Sequence, residues 1–136
     1  LESIIKISKD KSKLQVEVIH DFLKTTYWAK GRTISEVQKT VDSSLCFGVY
    51  LDDKQIGFAR IVTDYVVFVY LMDVFILPEF HGKGYSKQLM ASIINDPLLK
   101  TCKVWMLKTS DAHGLYKQFG FTELKHPEKV MERLLL

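Results

Sequence analysis

The sequence is short of the residues that staple small domains or hold metals. Its two cysteines, Cys46 and Cys102, lie far apart with no CxxC pattern and no Cys/His spacing. No disulfide framework is expected, and both read as reduced core residues. The four histidines, His20, His81, His113 and His126, fall at no ligand spacing, so no metal is expected. Charge of one sign is also scarce. Nineteen basic residues against 16 acidic ones give a net charge of +3, and the lysines and arginines are scattered. That balance indicates no nucleic-acid groove. No run approaches the ~18 apolar residues of a membrane span, and the first residues lack a signal-peptide pattern, so a cytoplasmic protein with no membrane partner is the expectation. No repeat, low-complexity tract or linker composition divides the chain. Residues 1–136 are therefore expected to form one domain that buries roughly two-thirds of its unfolded surface.

What is present concentrates between Tyr70 and Met90. Val66 to Leu77 is rich in Val, Phe, Ile and Tyr, with Asp73 as its single charge, which favours a strand. Its twelve residues exceed the usual strand of about 5–6, so a bend or bulge is expected inside it. Pro78 ends it. From Gly84 onward Tyr85, Leu89, Met90, Ile93 and Ile94 recur at helical spacing until Asp96-Pro97, giving a helix with one buried face. Between strand and helix lies His81-Gly82-Lys83-Gly84-Tyr85-Ser86. Two glycines one residue apart let the backbone approach a ligand, and the free amides of the helix's first turn point at it. An anion, most naturally a phosphate, is the expected guest.

Around this unit the chain reads as alternating strands and helices. Ile4 to Ile7 suggests a first edge strand. Asp10 or Ser12 is placed to cap a helix carrying Leu14, Val18, Ile19, Phe22 and Leu23. Thr33-x-x-Glu36 and Ser35-x-x-Gln38 are alternative capping boxes for a second helix with Val37 and Val41. Leu45–Leu51 and Gln55–Val62 read as strands around an Asp52-Asp53-Lys54 turn, and Thr63-Asp64 as the next turn. Cys102–Lys108 is a strand parallel to the one before the helix. A last helix runs over Asp111–Phe119 with Gly120 as its stop. Phe121–Leu124 and Val130–Leu135 are candidate final strands.

Two motifs carry a family resemblance. Val74-x-Ile76-x-Pro78-Glu79-Phe80-His81-Gly82-Lys83-Gly84 resembles the acetyl-CoA-binding motif of the GNAT (Gcn5-related N-acetyltransferase) superfamily, whose loop reads Arg/Gln-x-x-Gly-x-Gly/Ala. His81 stands where Arg or Gln is usual, and Ser86 where Gly or Ala is usual. Some thirty residues later, Ala112-His113-Gly114-Leu115-Tyr116-Lys117-Gln118-Phe119-Gly120-Phe121 resembles the family's second region, Ala-x-x-Leu-Tyr-x-x-x-Gly-Phe, with Thr109 where Asn often stands. The resemblance implies an α/β fold with a mixed sheet whose fourth and fifth strands splay apart. It implies acetyl-CoA as co-substrate and acetyl transfer to a primary amine of a small molecule by direct attack. A catalytically silent acyl-CoA binder or interaction module of the same fold is the alternative, and a homodimer is left open.

Site roles follow from the resemblance. The amides of His81 to Ser86 would hold the pyrophosphate, and the backbone of Val74, Phe75 and Ile76 would pair with the pantetheine arm. Thr109, Ala112 and Tyr116 would face the cofactor, with Tyr116 also donating to the departing thiolate. Asp73 is the leading candidate for the base, against the plainer reading of a bulge carboxylate bonded to backbone. His113 is the second candidate, against a solvated histidine. Trp28, Arg32 and Tyr70 are expected to wall the acceptor pocket, with Arg32 gripping a substrate carboxylate or simply solvated. A dinucleotide or nucleoside-triphosphate site is disfavoured, because the loop continues Tyr85-Ser86-Lys87, without a third glycine or a Gly-Lys-Ser/Thr ending.

Overall fold

Apolar residues alternate along three consecutive stretches, and each stretch becomes a strand with one face in each of two cores. The computed structural model describes residues 4–135. The ends of the expected domain, residues 1–3 and 136, lie outside the described residues. The strands are β1 (Lys6–Ser8), β2 (Leu45–Leu51), β3 (Lys54–Thr63), β4 (Phe68–Ile76) and β5 (Val104–Leu107). The helices are α1 (Val16–Leu23), α2 (Ile34–Asp42), α3 (Tyr85–Ile94) and α4 (His113–Lys117). The strands form one sheet in chain order, antiparallel from β1 to β4 and parallel between β4 and β5. Among the described residues no helix is long and apolar enough to cross a membrane.

One face of the sheet packs Val49, Ala59, Ile61, Val69 and Leu71 against Leu89, Met90 and Ile93 of α3, with Cys102 at the margin. The other packs Cys46, Phe58 and Phe75 against Ile19 and Leu23 of α1 and Val37 and Val41 of α2. Both cysteines are buried and free, and burial raises the Cys46 thiol to about 11. The β2–β3 turn is tighter than the three residues expected. Asp52 and Asp53, at φ 49° and 67°, make a two-residue hairpin loop whose twist matches the flanking strands.

Two boundaries moved for reasons outside their own segments. Asp10 caps a short 3-10 turn at Lys11–Lys13 through the Ser12 amide at 2.9 Å, and the helix proper starts only at Val16. Gln15 stays extended because it is tied to the hairpin: its amide donates to Gln55 Oε1 at 2.7 Å and its side-chain amide to the Asp53 carbonyl at 2.8 Å. The second helix starts at the earlier of its two candidate boxes, with Thr33 and Glu36 bonded reciprocally. α4 is shorter than expected, since Thr109 Oγ1 accepts the Ala112 amide and holds residues 109–112 in a turn.

The two expected final strands do not form. Residues 121–124 and 130–135 carry enough β-formers, but a strand needs a neighbour. Here 121–124 faces β5 across an open groove. β5 therefore pairs with β4 alone among the described residues.

Candidate active site

β4 contains the bulge that its length suggested. Arg60 of β3 pairs with Met72 and Phe58 with Phe75, so Asp73 and Val74 oppose a single residue, Ala59. Asp73 takes φ 52°, a left-handed conformation that an L-residue adopts at a cost of about 1–2 kcal/mol. Parallel pairing with β5 covers only Phe68–Leu71 opposite Val104–Leu107. Beyond Leu71 the two strands separate, and among the described residues the β4 backbone over residues 72–75 has no strand partner on that side.

A cavity of about 290 Å³ opens at this fork, lined by Trp28, Tyr70, Met72, Asp73, Val74, Thr109, Asp111, Ala112 and Tyr116, among others. Tyr116 is 8% exposed, with its ring buried and its hydroxyl open to the cleft, where it makes no hydrogen bond among the described residues. Burial, with the nearby Asp111 carboxylate, raises its phenol to about 12. Its ring rests edge-on against Phe121 at 5.8 Å. Thr109 accepts the Ala112 amide at 3.0 Å, which leaves its hydroxyl proton for the cleft. Above the cleft, Tyr27 and Ser110 share a hydrogen bond at 2.9 Å that joins the α1–α2 loop to the β5–α4 loop. Sequence spacing gave no sign of that contact, which spans 83 positions. Asp111 also escaped notice. It is an exposed carboxylate at the cleft with no side-chain partner among the described residues.

The far end of the fork is the glycine loop. Gly82 and Gly84 take φ 78° and 79°, where any other residue would be strained, and Gly84 is the N-cap of α3. The amides of Gly82, Lys83, Gly84, Tyr85 and Ser86 have no acceptor among the described residues. The His81 amide, expected to join them, is already spent on the Pro78 carbonyl at 3.2 Å. Its ring instead bonds the Ile76 carbonyl at 2.6 Å and anchors the loop to the end of β4. Leu115 of α4 and Gln118, the residue after it, face the loop across a cavity of about 340 Å³. Five unpaired amides at a helix N-terminus suit a pyrophosphate, so the residues present fit the phosphate end of a CoA thioester.

Asp73 is not placed as a base. Its Oδ2 accepts from Arg32 at 2.8 Å and Arg60 at 2.9 Å, and its Oδ1 accepts the Trp28 indole at 3.0 Å. Burial works to raise its pKa. The Arg60 hydrogen bond, the charges of both arginines and the indole outweigh that and hold the carboxyl below its ordinary range. The backbone-bonded alternative also fails, because its partners are side chains. Arg32 is turned to Asp73 and away from the cleft lining, whereas Trp28 and Tyr70 do line it. His113 is exposed and lies on the groove beside β5 rather than in this cleft.

Comparison with known proteins agrees with this architecture. A crystal structure from Xanthomonas campestris pv. campestris, of a protein described as belonging to the GNAT family, is 45% identical. It superposes with a TM-score of 0.94 over 97% of this chain and 94% of that one. A Gibberella zeae protein that carries an acetyltransferase name is 29% identical over 142 residues, covering 88% of this chain and 80% of that protein. An aminoglycoside N-acetyltransferase in complex with CoA shares the fold at 21% identity, with a TM-score of 0.64 over 100% of this chain and 95% of that one. The family model described as an acetyltransferase (GNAT) domain matches residues 42–123, more than half of the sequence and the whole span from β2 to the end of the second motif. The chain belongs to the GNAT acetyltransferase family.

Proposed function

We propose that the protein transfers the acetyl group of acetyl-CoA to a primary amine of a small molecule. One observation carries the reading: a main-chain anion site and a phenol with a buried ring and a hydroxyl open to the cleft stand at the two ends of a single fork between β4 and β5. The loop amides would hold the pyrophosphate, and the open β4 edge would pair with the pantetheine amides. The thioester carbonyl would then lie near the bulge, where Tyr116 reaches the departing sulfur.

The chemistry needs little more than alignment and two proton transfers. An alkylammonium of pKa ~10.4 is neutral in about one molecule in a thousand at pH 7.4, a cost of roughly 4 kcal/mol. Asp111 is the group we assign to attract the ammonium and pass its proton to solvent, because it is both unpaired and open to water. At the other end, full proton transfer from Tyr116 at about 12 to a thiolate of ordinary pKa is uphill by about 5 kcal/mol. Tyr116 therefore acts as a hydrogen-bond donor to the developing negative charge.

Calorimetric titration with acetyl-CoA, beside an analogue lacking the pyrophosphate, tests the cofactor claim. Binding that requires the pyrophosphate supports it, and no binding removes it. CoA release across a panel of amines then separates an enzyme from a silent binder. Asp111→Asn is expected to lower kcat/KM for the amine about tenfold or more while leaving acetyl-CoA affinity intact. Unchanged amine kinetics would reject Asp111.

A further inference from the structure

We infer that Trp28 and Tyr27 select the acceptor: they admit an amine whose body is flat, apolar and uncharged, and they set the reach between that body and Asp111. The inference rests on the acetyl-transfer reading for the amine group, and on the walls of the cleft for the body that carries it.

Both rings are held at their polar tips. The Trp28 indole donates to Asp73 Oδ1 at 3.0 Å, and Arg32 and Arg60 fix that carboxylate in turn. The Tyr27 hydroxyl donates to Ser110 Oγ at 2.9 Å, and its ring meets the indole edge-on at 5.3 Å. Neither ring belongs to either core, and Tyr27 is 70% exposed and Trp28 45%. A ring already tied at its tip gives up little further freedom when a ligand packs on it, so its contact area is available for affinity. Tyr70 and Met72 lie on the same cleft. Together these side chains make an apolar wall, and a flat body gains most from it through offset or edge-on ring contacts.

Charge narrows the class. The charged residues on the cleft lining are Asp73, Lys108 and Asp111. Two arginines answer Asp73, and Glu132 answers Lys108. Asp111 alone has no side-chain partner among the described residues. One free negative charge suits one ammonium. A carboxylate on the acceptor would meet no free cation on the lining, and a second ammonium no second free anion, so either would lose hydration without gaining a partner. Asp111 follows Ser110 directly in the chain. The Tyr27–Ser110 bond therefore ties the loop that carries the carboxylate to the aromatic wall, and fixes the distance between the charge site and the ring site.

Calorimetric titration of the full chain at pH 7, with and without CoA, compares benzylamine, cyclohexylmethylamine and 4-(aminomethyl)benzoate, whose amines are all protonated there. Cyclohexyl is the more apolar of the two rings, so burial alone would favour it. Benzylamine is expected to bind about tenfold more tightly than either of the others. Trp28→Leu, which keeps apolar bulk, should abolish the preference for benzylamine over cyclohexylmethylamine. Tyr27→Phe keeps the ring and cuts the tie; it should raise KM for benzylamine about fivefold with little change in kcat. Unaltered acetyl-CoA affinity checks that both variants fold. Equal binding of the two rings, a preference that survives Trp28→Leu, tighter binding of the benzoate, a KM unmoved in Tyr27→Phe, or no binding of any of the three would each overturn the proposal. Selective binding without CoA release would support the wall and remove acetyl transfer, whereas CoA release without selectivity would overturn the wall and leave acetyl transfer standing.

Discussion

At the scale of single residues, the site divides its polar groups between work and support. Tyr116 is buried and unpaired, and its phenol at about 12 stays protonated through the whole range in which an amine substrate titrates. The rate should therefore rise with pH as the amine loses its proton, with no alkaline fall from Tyr116 below about pH 11. Tyr116→Phe should lower kcat on the order of 10²-fold with little change in acetyl-CoA affinity. Steady-state kinetics with calorimetry check both, and an equal loss of turnover and affinity would count against the donor role. Asp73 sits at the opposite extreme, with every oxygen engaged. Its folded pKa lies below the unfolded value of ~3.9, so its contribution to stability is fully present above that value and is lost as pH falls through the folded pKa. Urea unfolding of Asp73→Asn should lose this acid-side dependence, which in the native chain sets in as pH falls below about 4. The variant should also be less stable by about 3 kcal/mol or more at neutral pH, because Arg32 and Arg60 lose their shared counter-charge. An unchanged acid slope would show that the cluster contributes nothing to stability.

At the scale of elements, the loop before α3 concentrates the proposed cofactor site in main chain rather than side chain. Gly84 holds φ 79° with nothing within 4 Å of the place a Cβ would take, so conformation and not space demands glycine there. Gly84→Ala should cost about 1–2 kcal/mol and weaken acetyl-CoA binding by turning the first amides of α3 aside. Thermal unfolding and titration measure the two effects separately, and a loss of stability without any loss of affinity would argue against the anion role. The elements also show what was legible in the sequence and why. The α2 cap and the glycine loop were readable because their partners are neighbours: Thr33 and Glu36 lie three residues apart, and Gly84 adjoins the helix it caps. The bulge was readable from strand length, yet the function of its aspartate was not. Arg60 and Arg32 stand 13 and 41 residues from Asp73, and no local pattern brings them together. The final strands failed for a related reason, since apolar content gives a segment the ability to pair but not the neighbour with which to do so.

At the scale of the molecule, the sheet couples the two ends of the proposed cofactor site through one element. β4 carries the bulge in its middle, the fork beyond Leu71 and the anchor for His81 at Ile76. α4 and the residue after it close both ends, with Tyr116 in the cleft and Leu115 and Gln118 against the loop. A ligand spanning the fork would tie β4, α3 and α4 together and fill the gap left by the missing pairing, whereas a bare pyrophosphate would touch only the loop. Any ligand held by the folded chain alone stabilises it by RT ln(1 + [L]/Kd), about 2.7 kcal/mol at a hundredfold excess over Kd. For a domain of this size that corresponds to roughly 8 °C in Tm. Acetyl-CoA at such an excess should raise Tm by about that amount, and inorganic pyrophosphate at the same concentration should raise it much less, because it forgoes the β4 and α4 contacts. Equal shifts from both would mean that the loop alone binds and that the fork contributes nothing to the cofactor. A large shift from acetyl-CoA that persists in Tyr116→Phe and falls in Gly84→Ala would place the affinity in the loop and strand, and reserve the phenol for the chemical step.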